Sequence, residues 1–125
     1  MANRNFTEDN CYSFSKGFTV LSAKITIGAT GAPTLVAASS KGIASIARNG
    51  AGDYTLTLSD TYNEFLGMNF TLIDPGAEDL TFQVDTEDVD GAKTIDFYTN
   101  TAGTPTDPAE GDTIRVLVFL KNSSV

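Results

Sequence analysis

Apolar and polar residues alternate with a period of two in run after run of this chain, and that alternation commits it to extended strands. In Tyr54-Thr-Leu-Thr-Leu58, the side chains of Tyr54, Leu56 and Leu58 fall on one side of an extended backbone and two threonines on the other. Phe70–Ile73, Leu80–Val84 and Thr94–Tyr98 are shorter versions of the same pattern, and Phe18–Ile27 and Gly42–Arg48 are longer candidates. Thr34–Ala37 is a weaker one. The stretch Ile114-Arg-Val-Leu-Val-Phe-Leu-Lys121 is almost wholly apolar in its middle, which predicts a strand covered on both faces. Seventeen threonines add to the bias, because branching at Cβ stiffens χ1 and suits a pleated surface.

Turn residues punctuate these runs. Asn49-Gly-Ala-Gly-Asp53 predicts a tight hairpin, Asp74-Pro-Gly76 a turn, and Asp90-Gly91 the close of an acidic loop. Residues 100–112 carry two prolines and two glycines and read as a long surface loop. One segment breaks the pattern. Ser59-Asp-Thr-Tyr-Asn-Glu-Phe-Leu-Gly67 offers capping residues, then Tyr62, Phe65 and Leu66 at helical spacing, then a terminating glycine, and so predicts one short helix. Seven or eight strands separated by turns, over about 110 residues, predict an all-β antiparallel β-sandwich, with a jelly roll as one variant.

At 125 residues there is room for one core, which we place in residues 17–125. Residues 1–16 differ, being polar but carrying Phe6, Tyr12 and Phe14. Two readings stand for them: an N-terminal arm that orders against a partner, or an edge strand folded on its own domain. On the first reading Arg4, Phe6, Tyr12 and Phe14 are the candidate contacts.

Absences remove whole classes of chemistry. The chain has no histidine, no tryptophan and a single cysteine, Cys11, so it cannot build a Ser-His-Asp triad, a histidine metal site, a CxxC pair or an internal disulfide. Gly28-Ala-Thr-Gly31 lacks the Lys-Ser/Thr ending of a phosphate loop. Sequons at Asn5, Asn69 and Asn122 are about as many as chance supplies in a chain this rich in Ser and Thr. Between Asp85 and Asp90 the acids resemble part of an EF-hand loop, but Thr86 and Phe97 stand where ligating carboxylates belong; a solvated turn is preferred, with a weak, irregular calcium site as the alternative. The remaining acids sit mostly in turns, and only Tyr54, Tyr62 or Tyr98 could form a sugar platform, so no enzyme is expected. Neither a cofactor nor a structural metal is called for.

Charge is polarised. The net charge is −8, yet residues 1–52 hold five bases against two acids and residues 53–125 three bases against fourteen acids. An acidic chain with scattered bases disfavours nucleic acid. Beside the plain reading of a solvated acidic face stands a sharper one, in which the N-terminal part docks on an acidic partner. The first residues lack the apolar core of a signal peptide and no run is long enough to span a bilayer, so a soluble protein made in a cytoplasm is expected, with no membrane partner.

Ser45-Ile-Ala-Arg-Asn-Gly-Ala-Gly-Asp-Tyr-Thr-Leu-Thr-Leu58, the following Ser59-Asp-Thr-Tyr62, and the ending Arg115-Val-Leu-Val-Phe-Leu-Lys-Asn-Ser-Ser-Val125 resemble small virion proteins of tailed bacteriophages. The family implied is the capsid decoration, or cement, proteins. These are β-rich, often homotrimeric, and sit on the outer shell where major capsid protein subunits meet. The resemblance implies a structural virion protein on the outer capsid surface. Head- and tail-fibre β domains share the style, leaving receptor or glycan recognition through loops 28–33 and 100–112 as the alternative.

Overall fold

The computed structural model describes residues 17–123. Two antiparallel sheets pack face to face as a β-sandwich. One has the order β2-β1-β9-β5, from Pro33–Leu35, Phe18–Ile27, Thr113–Lys121 and Glu64–Ile73. We call it the β9 sheet. The other, the β7 sheet, has the order β3-β4-β7-β6, from Ile43–Gly50, Asp53–Leu58, Thr94–Thr101 and Thr81–Asp88, and the two-residue β8 (Thr104–Pro105) pairs with the end of β7. As in a jelly roll, β9 lies between β1 and β5, and β7 between β4 and β6; β1–β2, β3–β4 and β6–β7 are nevertheless hairpins within one sheet. The proposed arm, with Arg4, Phe6, Tyr12 and Phe14, lies outside the described residues.

The alternation predicts the core directly. In β4, Tyr54, Leu56 and Leu58 are buried while the threonines between them are half-exposed. Their partners across the interior are Leu21, Ala23 and Ile25 of β1 and Ile114, Val116, Val118 and Leu120 of β9. Burying each of the larger side chains stabilises the fold by roughly 1.5–3 kcal/mol. Tyr54 and Phe97 stack at 5.6 Å, and Phe70 bridges to Phe82 of the opposite sheet at 4.8 Å.

Two expectations fail, for related reasons. No helix forms at 59–67: residues 59–63 make a bend, and Glu64–Leu66 already belong to β5. The adjacent apolar residues that imitate helical spacing come from a β-bulge at Phe65/Gly67, where one extra residue, Leu66, turns Phe65 inward and itself outward. The only helical turns among the described residues are two three-residue 3-10 turns, Ala29–Gly31 and Ala37–Ser39. Nor is β9 covered on both faces. Its even-numbered residues are buried, whereas Arg115 and Leu117 are exposed and Phe119 and Lys121 half-exposed.

Loop 102–112 is less open than its composition suggests. Asp107 accepts hydrogen bonds from Arg48 Nε (3.0 Å) and Nη2 (2.7 Å), from the Gly52 amide (2.9 Å) and from the Tyr54 hydroxyl (3.2 Å). One carboxylate thereby ties the loop to the β3–β4 hairpin, and the Arg48 guanidinium beside it holds its pKa below the usual carboxylate range. Gly52 has φ +64°, and a Cβ there would strike the Thr106 amide and the Thr99 carbonyl. Gly52→Ala should therefore lower Tm markedly, while Gly50→Ala, with nothing within 4 Å of the added carbon, should leave Tm within a degree or so. Thermal unfolding of the two variants side by side checks this.

Candidate functional site

The odd residues of β9 lead to the most informative surface, the solvent face of the β9 sheet. Strand register fixes its rows. Lys24, Arg115 and Thr71 lie side by side across β1, β9 and β5; next come Ser22, Leu117 and Asn69; then Val20, Phe119 and Gly67. Lys41 is bridged to Ser22 at one flank, and Phe18, Lys121 and Glu64 close the far row. Val20, Leu66 and Leu117 are each 40–45% exposed, and Phe18 stacks on Phe119 at 6.1 Å. Gly67 stands directly opposite Phe119 and carries no side chain to cover it.

Four of the six cations among the described residues, Lys24, Lys41, Arg115 and Lys121, gather on this face. Only Lys121 has an acidic neighbour, Glu64 at 3.9 Å. Lys24 and Arg115 are directly opposite each other, a like-charge pair that costs stability unless something acidic lies over it. Scattered in sequence, these bases form a group only through strand pairing.

The solvent face of the β7 sheet is its opposite in character. Thr55 donates to Asp96 (2.6 Å), Thr86 donates to the other oxygen of Asp96 (3.2 Å), and Asn49 donates to Thr55 (2.8 Å). Asp53 and Tyr98 are neighbours in the next row, and the Asp85 carboxylate pushes the Tyr98 hydroxyl pKa up. Polar side chains dominate that face, and Thr55, Thr86 and Asp96 are already bonded to one another.

A second cluster lies at the loop end. Carboxyl oxygens of Asp74, Glu78 and Asp112 all lie within 4.8 Å of one another. Asp74 follows β5 and accepts from the Gly76 amide (2.8 Å); Asp112 precedes β9, is 3% exposed, and accepts from the Ala109 amide (3.0 Å). Partial desolvation, then hydrogen bonding and repulsion from its two neighbours, push Glu78 up to about 7. Asp112 is raised for the same first reason, whereas the Gly76 amide lowers Asp74. Such a group can share a proton near neutrality or offer three oxygens to a hard cation.

The acids between Asp85 and Asp90 do not come together in this way. Asp85–Asp88 lie in β6, and Asp88 accepts from the Ala92 amide (2.9 Å), so its carboxylate shapes the turn. The three tyrosines considered as a sugar platform are also dispersed. Tyr54 is in the core, Tyr98 on the β7 face, and Tyr62 half-buried in the bend before β5. Loops 28–33 and 100–112 do meet: Gly111 donates to the Ile27 carbonyl (2.8 Å), and Gly31 packs so closely on Asp107 that no Cβ would fit. Among the described residues no helix is long and apolar enough to cross a membrane.

Neither a protein-family model, nor a curated protein, nor a solved structure matches this chain.

The carboxyl cluster gives the protein a pH dependence of definite sign. Glu78 binds its proton more tightly folded, at about 7, than unfolded, at 4.5, so its stabilising contribution is complete below about 4.5 and is lost as pH rises through about 7. Tm should fall between pH 5 and pH 8, and Glu78→Gln should reduce that fall. Thermal melts of both proteins across this range measure the difference.

Proposed function

We propose that the protein is a capsid decoration protein, attached to the outer surface of a phage head by the solvent face of its β9 sheet. The observation that carries this reading is that face itself. It combines an apolar centre of Val20, Leu66, Leu117 and Phe119 with the cations Lys24, Lys41 and Arg115, none of which has an ion-pair partner among the described residues. The likeness of residues 45–62 and 115–125 to small virion proteins supports it further. A partner offering apolar side chains and carboxylates would relieve the Lys24–Arg115 repulsion and cover the patch.

The role follows from mass action. A rigid module that binds the expanded shell and not its precursor stabilises the expanded form by its binding free energy. Many copies, each bridging neighbouring major capsid protein subunits, spread that effect over the lattice. The carboxylate-rich β7 face would then point to solvent and keep particles apart by charge. On this reading the copies act as homotrimers, and Arg4, Phe6, Tyr12 and Phe14 add to the contact.

A second reading has one observation in its favour. Loops 28–33 and 100–112 are gathered at one end and anchored by Asp107, as a fibre domain would present loops to a host receptor or glycan.

The readings place function on different surfaces, and sedimentation with expanded, DNA-free heads separates them. Leu117→Asp should weaken attachment about tenfold or more, since it removes the apolar centre of the patch and sets a carboxylate against the carboxylates the partner would offer. Thr57→Asp, on the opposite face, should attach like the unmodified protein. Removal of residues 2–14 should leave the sandwich folded and abolish attachment. Leu117→Asp protein that saturates heads normally would overturn the proposal.

A further inference from the structure

Three of the cations on the β9 face surround one small residue, Ser22. It points outward, because Leu21 and Ala23 on either side of it are buried. Lys41 is its bridge partner on one side, and Leu117, 41% exposed, is its partner on the other. Lys24 stands two residues along the same strand, with Arg115 directly opposite it on β9. Strands about 4.8 Å apart, rising about 3.4 Å per residue, put all three cationic positions within about 9 Å of Ser22 along the backbone surface. Extended lysine and arginine side chains cover that gap.

The group is in place before any ligand arrives. The Lys41 amide donates to the Ser22 carbonyl (2.8 Å), and the Ser22 amide donates to the Lys41 carbonyl (3.2 Å). The buried Ser40 hydroxyl donates to the Val36 carbonyl (2.8 Å) and accepts from the Lys24 amide (3.0 Å), which ties the segment carrying Lys41 to β1. Gly42 follows with φ +80°, packed so closely on Leu21 that a Cβ would clash. Lys41 is thereby fixed to the sheet, and little ordering is left for binding to supply.

None of the three cations has a carboxylate partner among the described residues, and the Ser22 hydroxyl has no hydrogen-bond partner there. The rows that hold them contain no acid; Glu64 lies in the far row, against Lys121. We propose that Ser22, Lys24, Lys41 and Arg115 form a binding site for a phosphate-type dianion, either inorganic phosphate or a phosphomonoester. Three positive charges outmatch a single carboxylate, and their N–H groups with the hydroxyl exceed the roughly four hydrogen bonds that its two oxygens accept. A tetrahedral dianion accepts from several directions at once. Leu117 keeps water from one side of it, which strengthens each contact. A nucleic acid fits less well, since its diester phosphates carry one charge each on a long backbone that a chain of net charge −8 repels. The site depends on strand register and not on the shell reading.

Amide NMR spectra of the full-length protein, titrated with inorganic phosphate at pH 8 and constant ionic strength, test the site directly. Saturable shifts should centre on residues 22–24, 40–42 and 115–117, with half-saturation below about 10 mM. Lys24→Gln combined with Arg115→Gln should raise that concentration about tenfold or more, and Ser22→Ala about threefold, in spectra that otherwise superimpose. Acetate should bind at least about tenfold more weakly than phosphate. Glycerol phosphate separates the two sources: tighter binding than inorganic phosphate identifies an esterified group on a larger molecule, and weaker binding identifies the free ion. Four results would each overturn the inference: no saturation with either phosphate, shifts as large around Lys93 and Lys121, half-saturation unmoved in the double variant, or acetate binding as tightly as phosphate.

Discussion

Strand β9 holds the β9 sheet together, because both β1 and β5 take their register from it. Ile114, Val116, Val118 and Leu120 meet Ile25, Ala23, Leu21 and Thr19 on one side and Leu72, Phe70, Met68 and Phe65 on the other. A slip of one residue would turn Arg115 and Lys121 into the core, at a cost of several kcal/mol for each unpaired buried charge. The inward apolar set thus excludes any slip by an odd number of residues. The same constraint determines what β9 shows to solvent: Arg115, Leu117 and Phe119 stand where they do because their neighbours must be buried.

The functional character of the surface follows from that side of the strand. An isolated sandwich would gain solubility from threonine or lysine at 117 and 119, as the β7 sheet does with Thr55, Thr57 and Asp96 at its equivalent outward positions. Leucine and phenylalanine there, beside cations with no ion-pair partner among the described residues and a glycine that uncovers the phenylalanine, make sense for a surface that meets something else. Docking would then be a property of the β9 sheet, while the β7 sheet supplies the other half of the core and a polar exterior.

Much of the sandwich was legible in the sequence, since alternation such as Tyr54–Leu58 reports backbone geometry and burial together. The Asn49–Asp53 hairpin was legible because Gly52 has a steric reason to be there. The helix reading at 59–67 failed because a bulge sets Phe65 and Leu66 side by side, which mimics a helical face within a short window. In β9, an apolar run seemed to require two covered faces, and its exposed half proved to be the candidate docking surface. Lys24 and Arg115 are 91 positions apart in the chain, and Asp74 and Asp112 are 38 apart, so neither group could be seen before strand pairing brought them together. The arm contacts Arg4, Phe6, Tyr12 and Phe14 rest on the sequence alone.

The central claim is that this domain works by covering a lattice, and the number of copies on a purified particle tests it most directly. Weighing its band against the major capsid protein on a denaturing gel should give an abundance comparable to that of the shell subunit. A handful of copies per particle would contradict the account and favour a fibre.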